Sequence, residues 1–333
     1  MTCRFIDSFD HYTQPTEMTP GKWTARQGTI AISTTYGRNG TQGFGWTAGT
    51  PKTASKTIAG ARQKSWTVGF AYRTNALPGG EARIASMQFG DHENIQLKLG
   101  ADGILNVLSG GTNIGSGTTA LGAGSWYYIE WQTYAHTSSG SFAVKLDGNA
   151  EASATNVNTD AAWGDDGNNQ LRLWGETQVS FDDVYILDNA SPNNTFWGDT
   201  KVVAVYPTAD ATYEQWTPTS GVDHYALVDE STPNVTDYIY TSVNGNNDSF
   251  TVQSITGAPF AVQQVMFNRA FTTSGSMYGL IRISSTDYTS GSLPVLSSGS
   301  QYAQAQWDVN PNTLSPWTQA AFNGAEFGLQ SVL

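Results

Sequence analysis

The sequence contains a single cysteine, Cys3, among its 333 residues. One thiol cannot form an intramolecular disulfide, and it cannot by itself build a cysteine-based zinc site. The sequence also lacks an uninterrupted apolar run of about 20 residues, which a helix needs to cross a bilayer. We therefore expect a fold that depends on core packing alone and that does not insert into a membrane.

Basic residues are scarce as well, because 16 Lys and Arg stand against 28 Asp and Glu, for a net charge of −12. No basic run is present that could neutralise a nucleic-acid backbone or an anionic membrane surface. The first residues, "MTCRFIDSFD", show no apolar stretch behind a basic segment, so we expect no signal peptide and synthesis in a host cytoplasm. Nucleic acid is excluded as an expected partner.

Helical periodicity is almost absent, whereas alternation with a period of two recurs along the first half of the chain. In "SWTVGFAYR", Trp66, Val68, Phe70 and Tyr72 share one face of a predicted strand. Asp-Gly pairs separate further alternating runs, in "LKLGADGILNV" and in "FAVKLDGNAEA". Such pairs predict tight hairpins, so we expect an all-β fold made of antiparallel strands.

The length favours two domains, and a polar stretch, "NASPNNTFWGDTK", follows the first set of predicted strands. We predict a first domain over residues 1–190, a linker over 191–200, and a second, smaller β-sandwich over 201–333. One short helix is predicted in "SPWTQAAFNGA", with Ser315 as its cap and Pro316 as its first residue.

The order of "FIDSFD", "LGADGILNV", "WYYIEWQTY", "FAVKLDG" and "FDDVYILD" resembles the concanavalin A-like, laminin-G-type jelly roll over about residues 1–189. That resemblance implies that the first and last strands lie side by side. Phe5 and Phe9 should then pack near Phe181 and Val184. The fold class is thus expected to be a concanavalin A-like antiparallel jelly-roll sandwich followed by a second, smaller β-sandwich.

The C-terminal phrases "FWGDTKVVAVYPTADATYEQWTP", "HYALVDESTP" and "PWTQAAFNGAEFGLQ" resemble the C-terminal portion of a two-domain protein that recurs among bacteriophage structural proteins. The resemblance implies localisation in a virion and other virion subunits as partners. By analogy with fibres and decoration proteins, we expect a homo-oligomer, with a trimer as the guess.

Catalytic patterns are not found in the sequence, so we expect that the protein is not an enzyme. A retaining glycosidase needs two carboxyl groups roughly 5 Å apart. Glu130 stands alone, Asp91 and Glu93 are predicted to lie in a loop, and Glu176 is out of register with the Asp pair in "FDD". The histidines are scattered, and no Gly-x-Ser-x-Gly motif accompanies them.

No cofactor is expected apart from a structural Ca²⁺, for which the sequence offers two places. Asp182 and Asp183 interrupt an apolar strand, which predicts a β-bulge, and the pairing of the first and last strands would bring Asp7 beside them. Members of the concanavalin A-like group often carry calcium at the sandwich rim. We therefore propose Asp7, Asp182 and Asp183 as candidate ligands, and the loop "WGDDGNNQ" is the alternative. A polar turn that binds no ion is a competing interpretation of that loop.

The same loop is the predicted glycan site. Trp163 and Trp174 flank it and could stack on sugar rings, while Asp165, Asp166 and Asn168 could bind hydroxyls. For any single tryptophan, a place in the core remains the main alternative.

The sequence thus predicts a non-enzymatic bacteriophage virion protein displayed on the particle as a fibre, tail-tip component or capsid decoration. It would mediate weak, multivalent attachment to host-surface glycans. The alternatives are a purely structural cement protein of capsid or tail and, behind it, a glycan-active hydrolase.

Overall fold

The computed structural model describes residues 3–19, 21–46, 52–58, 62–161, 164, 167–176, 178–188, 195–271 and 273–332. The chain divides into two compact units. The first unit comprises residues 1–10, 14–19 and 23–202, and the second comprises residues 11–13, 20–22 and 203–333.

The first unit consists of strands and one 3-10 helix, Pro15–Met18, in the described part of the chain. Its strands are β1 Cys3–Asp7, β2 Ala25–Gln27, β3 Ala31–Ser33, β4 Gly43–Trp46, β5 Lys52–Thr57, β6 Ser65–Thr74, β7 Ala82–Phe89, β8 His92–Leu99, β9 Leu105–Ser109, β10 Thr112–Ser116, β11 Tyr127–Tyr134, β12 Gly140–Leu146, β13 Asn149–Val157, β14 Gln170–Gly175 and β15 Val179–Asp188.

These strands form two antiparallel sheets. Sheet A has the order β13-β12-β11-β6-β15-β4-β3, with β1 beside β15, and sheet B has the order β10-β9-β8-β7-β14-β5-β2. Apolar side chains from alternate positions of both sheets are buried, among them Val68, Phe70 and Trp131 from sheet A and Ile84 and Leu97 from sheet B. The predicted all-β, antiparallel jelly-roll sandwich is confirmed.

The first and last strands of this unit are neighbours, as the sequence predicts. β1 pairs antiparallel with β15, and Phe5 lies opposite Ile186. Phe9 and Phe181 both pack on the ring of Phe44, at centroid distances of 4.5 and 5.3 Å. The third aromatic ring between them was not foreseen, because β4 joins the sheet beside β15.

The turn and bulge predictions also hold. Asp147 and Gly148 both have positive φ angles, 49° and 81°, which a tight hairpin turn of this kind requires. The pairing of β15 with β6 shifts register between Asp182 and Tyr185, and Asp183 has a φ of 49°. The bulge therefore lies at the double Asp, and it breaks the alternation of the strand after Asp182.

The second unit is also built from antiparallel strands. They are β16 Pro207–Glu214, β17 Thr217–Pro218, β18 Ile239–Tyr240, β19 Asn247–Val252, β20 Val262–Asn268, β21 Gly275–Ile283, β22 Thr286–Thr289, β23 Leu293–Val295, β24 Gln301–Trp307 and β25 Glu326–Val332. Sheet C has the order β16-β19-β25-β21-β22, with β23 beside β21, while β20 pairs with β24 and β17 with β18. A core that contains Val262, Ile281, Trp307 and Phe327 packs β20 and β24 against sheet C.

The short helix α1, Gln319–Asn323, begins later than the sequence predicts. Its cap is Thr318, whose Oγ1 accepts a hydrogen bond from Ala321 N at 3.1 Å. Ser315 instead forms a β-bridge with Asn310, so the predicted cap was wrong. In the part of the chain that the structure describes, no helix has the length and apolar character to span a bilayer.

Candidate functional site

The outer face of sheet A carries polar side chains from several neighbouring strands. Successive residues of a strand point to opposite sides, so the neighbours of the core residues Trp66 and Val68 on β6 face outward. The strand register aligns the outward residues of β6, β11, β12 and β13 in rows. One row contains Thr67, Gln132, Ala143 and Ser153.

A cavity of about 400 Å³ lies over this row, and we call it the groove. Its lining is rich in hydroxyl, amide and phenol groups, including those of Thr67, Gln132, Tyr134, Ser141, Ser153 and Thr155. The size lies within the usual range of ligand sites in proteins. The groove can therefore accommodate a small, uncharged, hydrogen-bonding ligand.

Side chains of the groove are held in place by neighbours on the same sheet. Gln132 Nε2 donates a hydrogen bond to Thr67 Oγ1 at 3.1 Å. The Tyr134 ring stacks beside His136 at a centroid distance of 6.3 Å. His136 Nδ1 in turn accepts the backbone N–H groups of Ser138 and Ser139 at 3.0 Å each, which fixes the ring. Such positioning lowers the entropy that a ligand must remove on binding.

Charge in the groove is low. Asp188 is the one ionisable acid or base with a charge at neutral pH among the described residues that line it. Arg4 Nε donates to Asp188 Oδ2 at 2.5 Å, so this carboxylate already has a cationic partner. The groove is thus suited to a neutral ligand more than to a polyanion.

The next row of the same face is covered. Gly69, Glu130 and Lys145 lie side by side in the register, two residues along their strands from the groove row. Glu130 is fully buried, and its Oε1 accepts hydrogen bonds from Tyr185 Oη at 2.5 Å and from Gly198 N at 2.8 Å. Gly198 belongs to residues 195–202, which we call the cover segment.

The bulge carboxylates lie on this covered part of the face. Asp182 Oδ2 accepts the backbone N–H of Arg38 at 2.7 Å, and Asp183 Oδ1 accepts that of Val202 at 2.8 Å. Burial, followed by repulsion from Asp183, raises the pKa of Asp182 to about 8. Burial also raises the pKa of Asp183 to about 6, and the nearby Arg38 opposes that rise. These carboxyl groups titrate far above their usual range.

The predicted calcium ligands do not share one set of contacts. Asp7 lies opposite Val184 in the strand pairing, yet its Oδ2 accepts from the indole Nε1 of Trp23 at 2.7 Å. Asp182 and Asp183 instead bond to Arg38 and Val202. Among the described residues, no group of three or more His, Cys, Asp or Glu is placed to hold a metal ion. Calcium binding stays a prediction, for which this arrangement supplies no converging oxygen ligands.

The predicted glycan residues fall in different places. Trp163, Asp165 and Asp166 lie outside the described residues. Asn168 is fully buried, and its Oδ1 accepts from Asn94 Nδ2 at 2.8 Å. Trp174 is 7% exposed on β14 of sheet B. Their role in glycan binding stays a prediction.

Trp174 belongs to a closed polar network on the outer face of sheet B. Its Nε1 donates to Ser86 Oγ at 3.0 Å, and the guanidinium carbon of Arg83 lies 3.6 Å from its ring centroid. Arg83 Nε also donates to Glu176 Oε1 at 2.7 Å, and its Nη1 lies 3.4 Å from Glu93 Oε1. We call these residues the arginine network; the cation covers an aromatic face that a sugar would otherwise use.

The arginine network also brings two carboxylates together, which the sequence interpretation missed. Glu93 lies on strand β8 and not in a loop, because the strand begins at His92. One guanidinium, that of Arg83, contacts both Glu93 and Glu176, although they are 83 positions apart. In the strand pairing Arg83 lies opposite Lys98, and Gln88 lies opposite Glu93, so the contact of Arg83 with both carboxylates depends on the arrangement of β8, β7 and β14 and has no local sequence signal.

Comparison with known proteins finds similarity at the level of the β-sandwich fold. No family model matches the sequence, and no curated protein matches it. The catalytic domain of a glycoside hydrolase family 131 protein from Coprinopsis cinerea is 17% identical, with 60% of this chain and 99% of that chain covered and a TM-score of 0.40. The cellulose induced protein Cip1 is 14% identical, with coverage of 55% and 96% and a TM-score of 0.41.

A third similar structure is domain 4 of AbnA, a GH43 extracellular arabinanase from Geobacillus stearothermophilus, in complex with arabinotriose. It is 14% identical, with 57% of this chain and 94% of that chain covered and a TM-score of 0.40. At such identities the likeness concerns the β-sandwich fold alone.

These findings correct one expectation and leave another without support. The expectation that the protein is not an enzyme was wrong as an inference from the fold, because a β-sandwich of this kind also occurs in a glycoside hydrolase catalytic domain and therefore does not exclude catalysis. Glu93 and Glu176, which the sequence analysis treated as unrelated carboxylates, both contact Arg83. The bacteriophage setting finds no support in these comparisons and stays a prediction.

Proposed function

We propose that the first unit binds a neutral carbohydrate in the groove on the outer face of sheet A. The observation that carries this proposal is the cavity of about 400 Å³ over an ordered array of hydroxyl and amide side chains. Sugars present hydroxyl groups that both donate and accept hydrogen bonds, and Ser, Thr and Gln side chains can answer both roles.

Tyr134 supports a sugar in preference to another polar ligand. It is half-buried at the edge of the groove, beside His136. An aromatic ring can pack on the apolar C–H face of a sugar, while neighbouring amides and hydroxyls bind its edges. The combination of one aromatic side chain with Gln132 and Ser153 suits a pyranose or furanose unit.

The charge pattern supports a neutral glycan. No Lys or Arg is among the described residues that line the groove, and Asp188 is paired with Arg4. The net charge of −12 would repel an acidic polysaccharide at low ionic strength. We therefore expect unsulfated, non-uronic glycans as ligands.

The test is a glycan array with the full chain, followed by calorimetry on the hits. Gln132→Ala should weaken binding by about tenfold, since it removes an amide from the groove wall. Thr112→Ala, an exposed change on β10 of sheet B, is the matched control and should bind as the wild type does. Equal affinity of Gln132→Ala and the wild type for every hit would contradict the groove assignment.

Turnover is measured in the same experiment. Release of reducing ends from each bound glycan would assign the protein as a hydrolase. Glu93→Gln and Glu130→Gln then separate the two carboxylate locations, on sheet B and sheet A. Binding without release would describe a carbohydrate-binding protein.

The setting we propose for this binding is display on a virion, with a homo-oligomer multiplying weak single-site affinity. Its support is the sequence resemblance of the C-terminal phrases to bacteriophage structural proteins. Cryo-electron microscopy of particles from the source tests both parts, because the density would identify the location and the number of copies. Absence of the chain from purified particles would reject the virion setting and leave the groove proposal intact.

A further inference from the structure

The outer face of sheet A continues beyond the groove under the cover segment. Gln132 and Glu130 are two residues apart on β11 and face the same side, so their positions are separated by about 7 Å. Lys145 stands in the same relation to Ala143 on β12. The groove row and the covered row are thus neighbouring strips of one surface.

The cover segment contacts this strip in the way a bound ligand would. Trp197 packs on the Tyr185 ring at a centroid distance of 4.7 Å, and the Lys145 ammonium lies 4.7 Å from the Phe196 ring centroid. Gly198 N donates to Glu130 Oε1. Aromatic packing and one amide donor on a carboxylate are groups that an oligosaccharide could replace with C–H faces and a hydroxyl.

The far end of the cover segment is held by polar contacts. Thr200 Oγ1 lies 2.6 Å from Tyr128 Oη, and Asp199 Oδ1 lies 2.6 Å from Arg38 Nη1. The side chain of Asp199 is 53% exposed, so water weakens this ion pair. The Tyr128 hydroxyl also donates a hydrogen bond to the backbone oxygen of Asp183 at 3.1 Å.

Burial differs sharply between the cover segment and the residues beneath it. No described residue of the segment is buried, whereas Glu130, Tyr128 and Tyr185 are at most 1% exposed. Among its described backbone hydrogen bonds, the segment makes an internal one from Thr200 N to Gly198 O and none to a strand of sheet A. A segment without ladder bonds and with little burial can open locally at low cost.

One carboxylate oxygen of Glu130, in the covered row, is available to accept a further hydrogen bond. This oxygen, Oε2, is buried and has no hydrogen-bond partner among the described residues. A buried polar atom without a partner is costly, and native proteins seldom retain one without a role. Glu130 is two residues from Gln132 on the same face of β11, so its carboxylate belongs to the row next to the groove.

We propose that the cover segment is displaceable and that the strip of Gly69, Glu130 and Lys145, with Tyr128 and Tyr185, is a second subsite of the groove. It would receive the part of a neutral glycan chain that extends past Gln132, with Glu130 accepting a sugar hydroxyl. The identity of the ligand in this inference rests on the proposed carbohydrate binding. The opening of the cover segment is independent of that proposal.

The test uses Gly198→Pro in the full chain. Gly198 has a φ of +84°, which proline cannot adopt, and the substitution also removes the donor to Glu130. Gly221→Pro is the matched control, since Gly221 has a φ of +68° and, like Gly198, open space around its Cβ position. Gly221 belongs to the second unit, whereas all residues that line the groove belong to the first.

Hydrogen exchange without ligand measures the opening. In the wild type, the amides of residues 198–202 should exchange at least 100-fold faster than the paired amides of β11. Gly198→Pro should accelerate exchange at Val202 by a further tenfold and leave β11 unchanged. Exchange of the segment only at the rate of β11 would overturn the displaceable cover.

Binding to a ladder of cello- and xylo-oligosaccharides of two to eight units measures the subsite. Gly198→Pro should bind the longest chains 5- to 10-fold more tightly than the wild type and bind the disaccharides equally. An equal change at every length, or no change, would overturn the subsite. If no oligosaccharide binds either protein, the subsite for these neutral glycans is rejected together with its ligand, while the exchange result still decides whether the cover opens.

Discussion

The two outer faces of the first unit are both polar, but they differ in how far their polar groups are already satisfied. On sheet B, Arg83 contacts Trp174, Glu93 and Glu176 together, so cation, aromatic ring and carboxylates satisfy one another. On sheet A, most polar side chains that line the groove are neutral hydroxyls and amides, around a cavity of about 400 Å³. The outer face of sheet B has the charged and aromatic residues, but these residues already contact one another.

The difference between the two faces shows why a binding site cannot be located from residue type alone. Arginine, glutamate and tryptophan attract attention because they can bind ligands strongly, and for the same reason they bind one another when the fold brings them together. Serine, threonine and glutamine interact weakly with each other. A surface made from them stays available to a ligand.

The largest effect should come from pH, and it concerns the covered strip of sheet A. The pKa of Asp182 is raised to about 8 and that of Asp183 to about 6, so the folded protein holds protons that the unfolded chain releases near pH 4. Stability should therefore be greatest below about pH 4 as far as these two groups contribute. It should fall as pH rises towards 8, by an amount on the order of a few kcal/mol.

Thermal unfolding between pH 5 and 9 checks this, with Asp182→Asn as the test variant. The variant mimics the protonated acid, so its midpoint should change less with pH than that of the wild type. Asp91→Asn, at a carboxylate whose side chain is 98% exposed, is the control and should follow the wild type. Parallel pH profiles for Asp182→Asn and the wild type would refute the buried titration.

The next largest effect concerns the arginine network of sheet B. Arg83→Met keeps an aliphatic chain on Trp174 but leaves Glu93 and Glu176 without their shared cation. We expect a loss of about 2 kcal/mol in the free energy of unfolding, less than for a fully buried pair because Arg83 is partly exposed. Urea denaturation measures this loss.

Lys98→Met is the matched control for that change, because Lys98 lies directly opposite Arg83 in the strand pairing. Its Nζ is 3.4 Å from Glu81 Oε2, and the side chain of Glu81 is 41% exposed. Its loss should cost less than about 0.5 kcal/mol. Similar costs at Arg83 and Lys98 would mean that the network is an ordinary set of surface ion pairs.

The smallest effect compares two threonine–glutamine pairs, one on each face. Thr67→Val removes the acceptor of Gln132 Nε2 in the groove and should weaken glycan binding by about fivefold, or about 1 kcal/mol. Thr57→Val removes the acceptor of Gln170 Nε2 on sheet B, where that bond is 2.7 Å long. It should leave glycan binding unchanged. Calorimetry with the best ligand from the array measures both affinities. Equal losses of affinity in Thr67→Val and Thr57→Val would contradict a binding site on sheet A alone.

Much of the fold was predictable because it depends on short-range patterns. Period-two alternation in "SWTVGFAYR" marked β6, and Asp147-Gly148 marked a tight turn. The double Asp182-Asp183 marked the bulge. The helix cap was predicted at Ser315, but the structure has it at Thr318. Ser and Thr both favour the cap position, and only the β-bridge between Asn310 and Ser315 excludes Ser315.

The candidate site was less predictable. The alternation of β6 and β11 was interpreted for its apolar face, and the other face of the same strands carries Thr67, Gln132 and Tyr134. The polar residues of that face are predictable from the alternation. The cavity over them is not predictable from the sequence, because its walls come from strands whose order and register depend on pairing between distant parts of the chain.

The sequence by itself determined the strand content, the hairpin turns and the bulge of the first unit, because alternation and turn chemistry act over a few residues. Only the tertiary structure decided which polar residues are satisfied and which remain open. Arg83 contacts both Glu93 and Glu176 because β7 lies between β8 and β14 in sheet B, and residues 195–202 cover Glu130 while leaving Gln132 in the groove. Those outcomes depend on distances between remote parts of the chain, which no local pattern encodes.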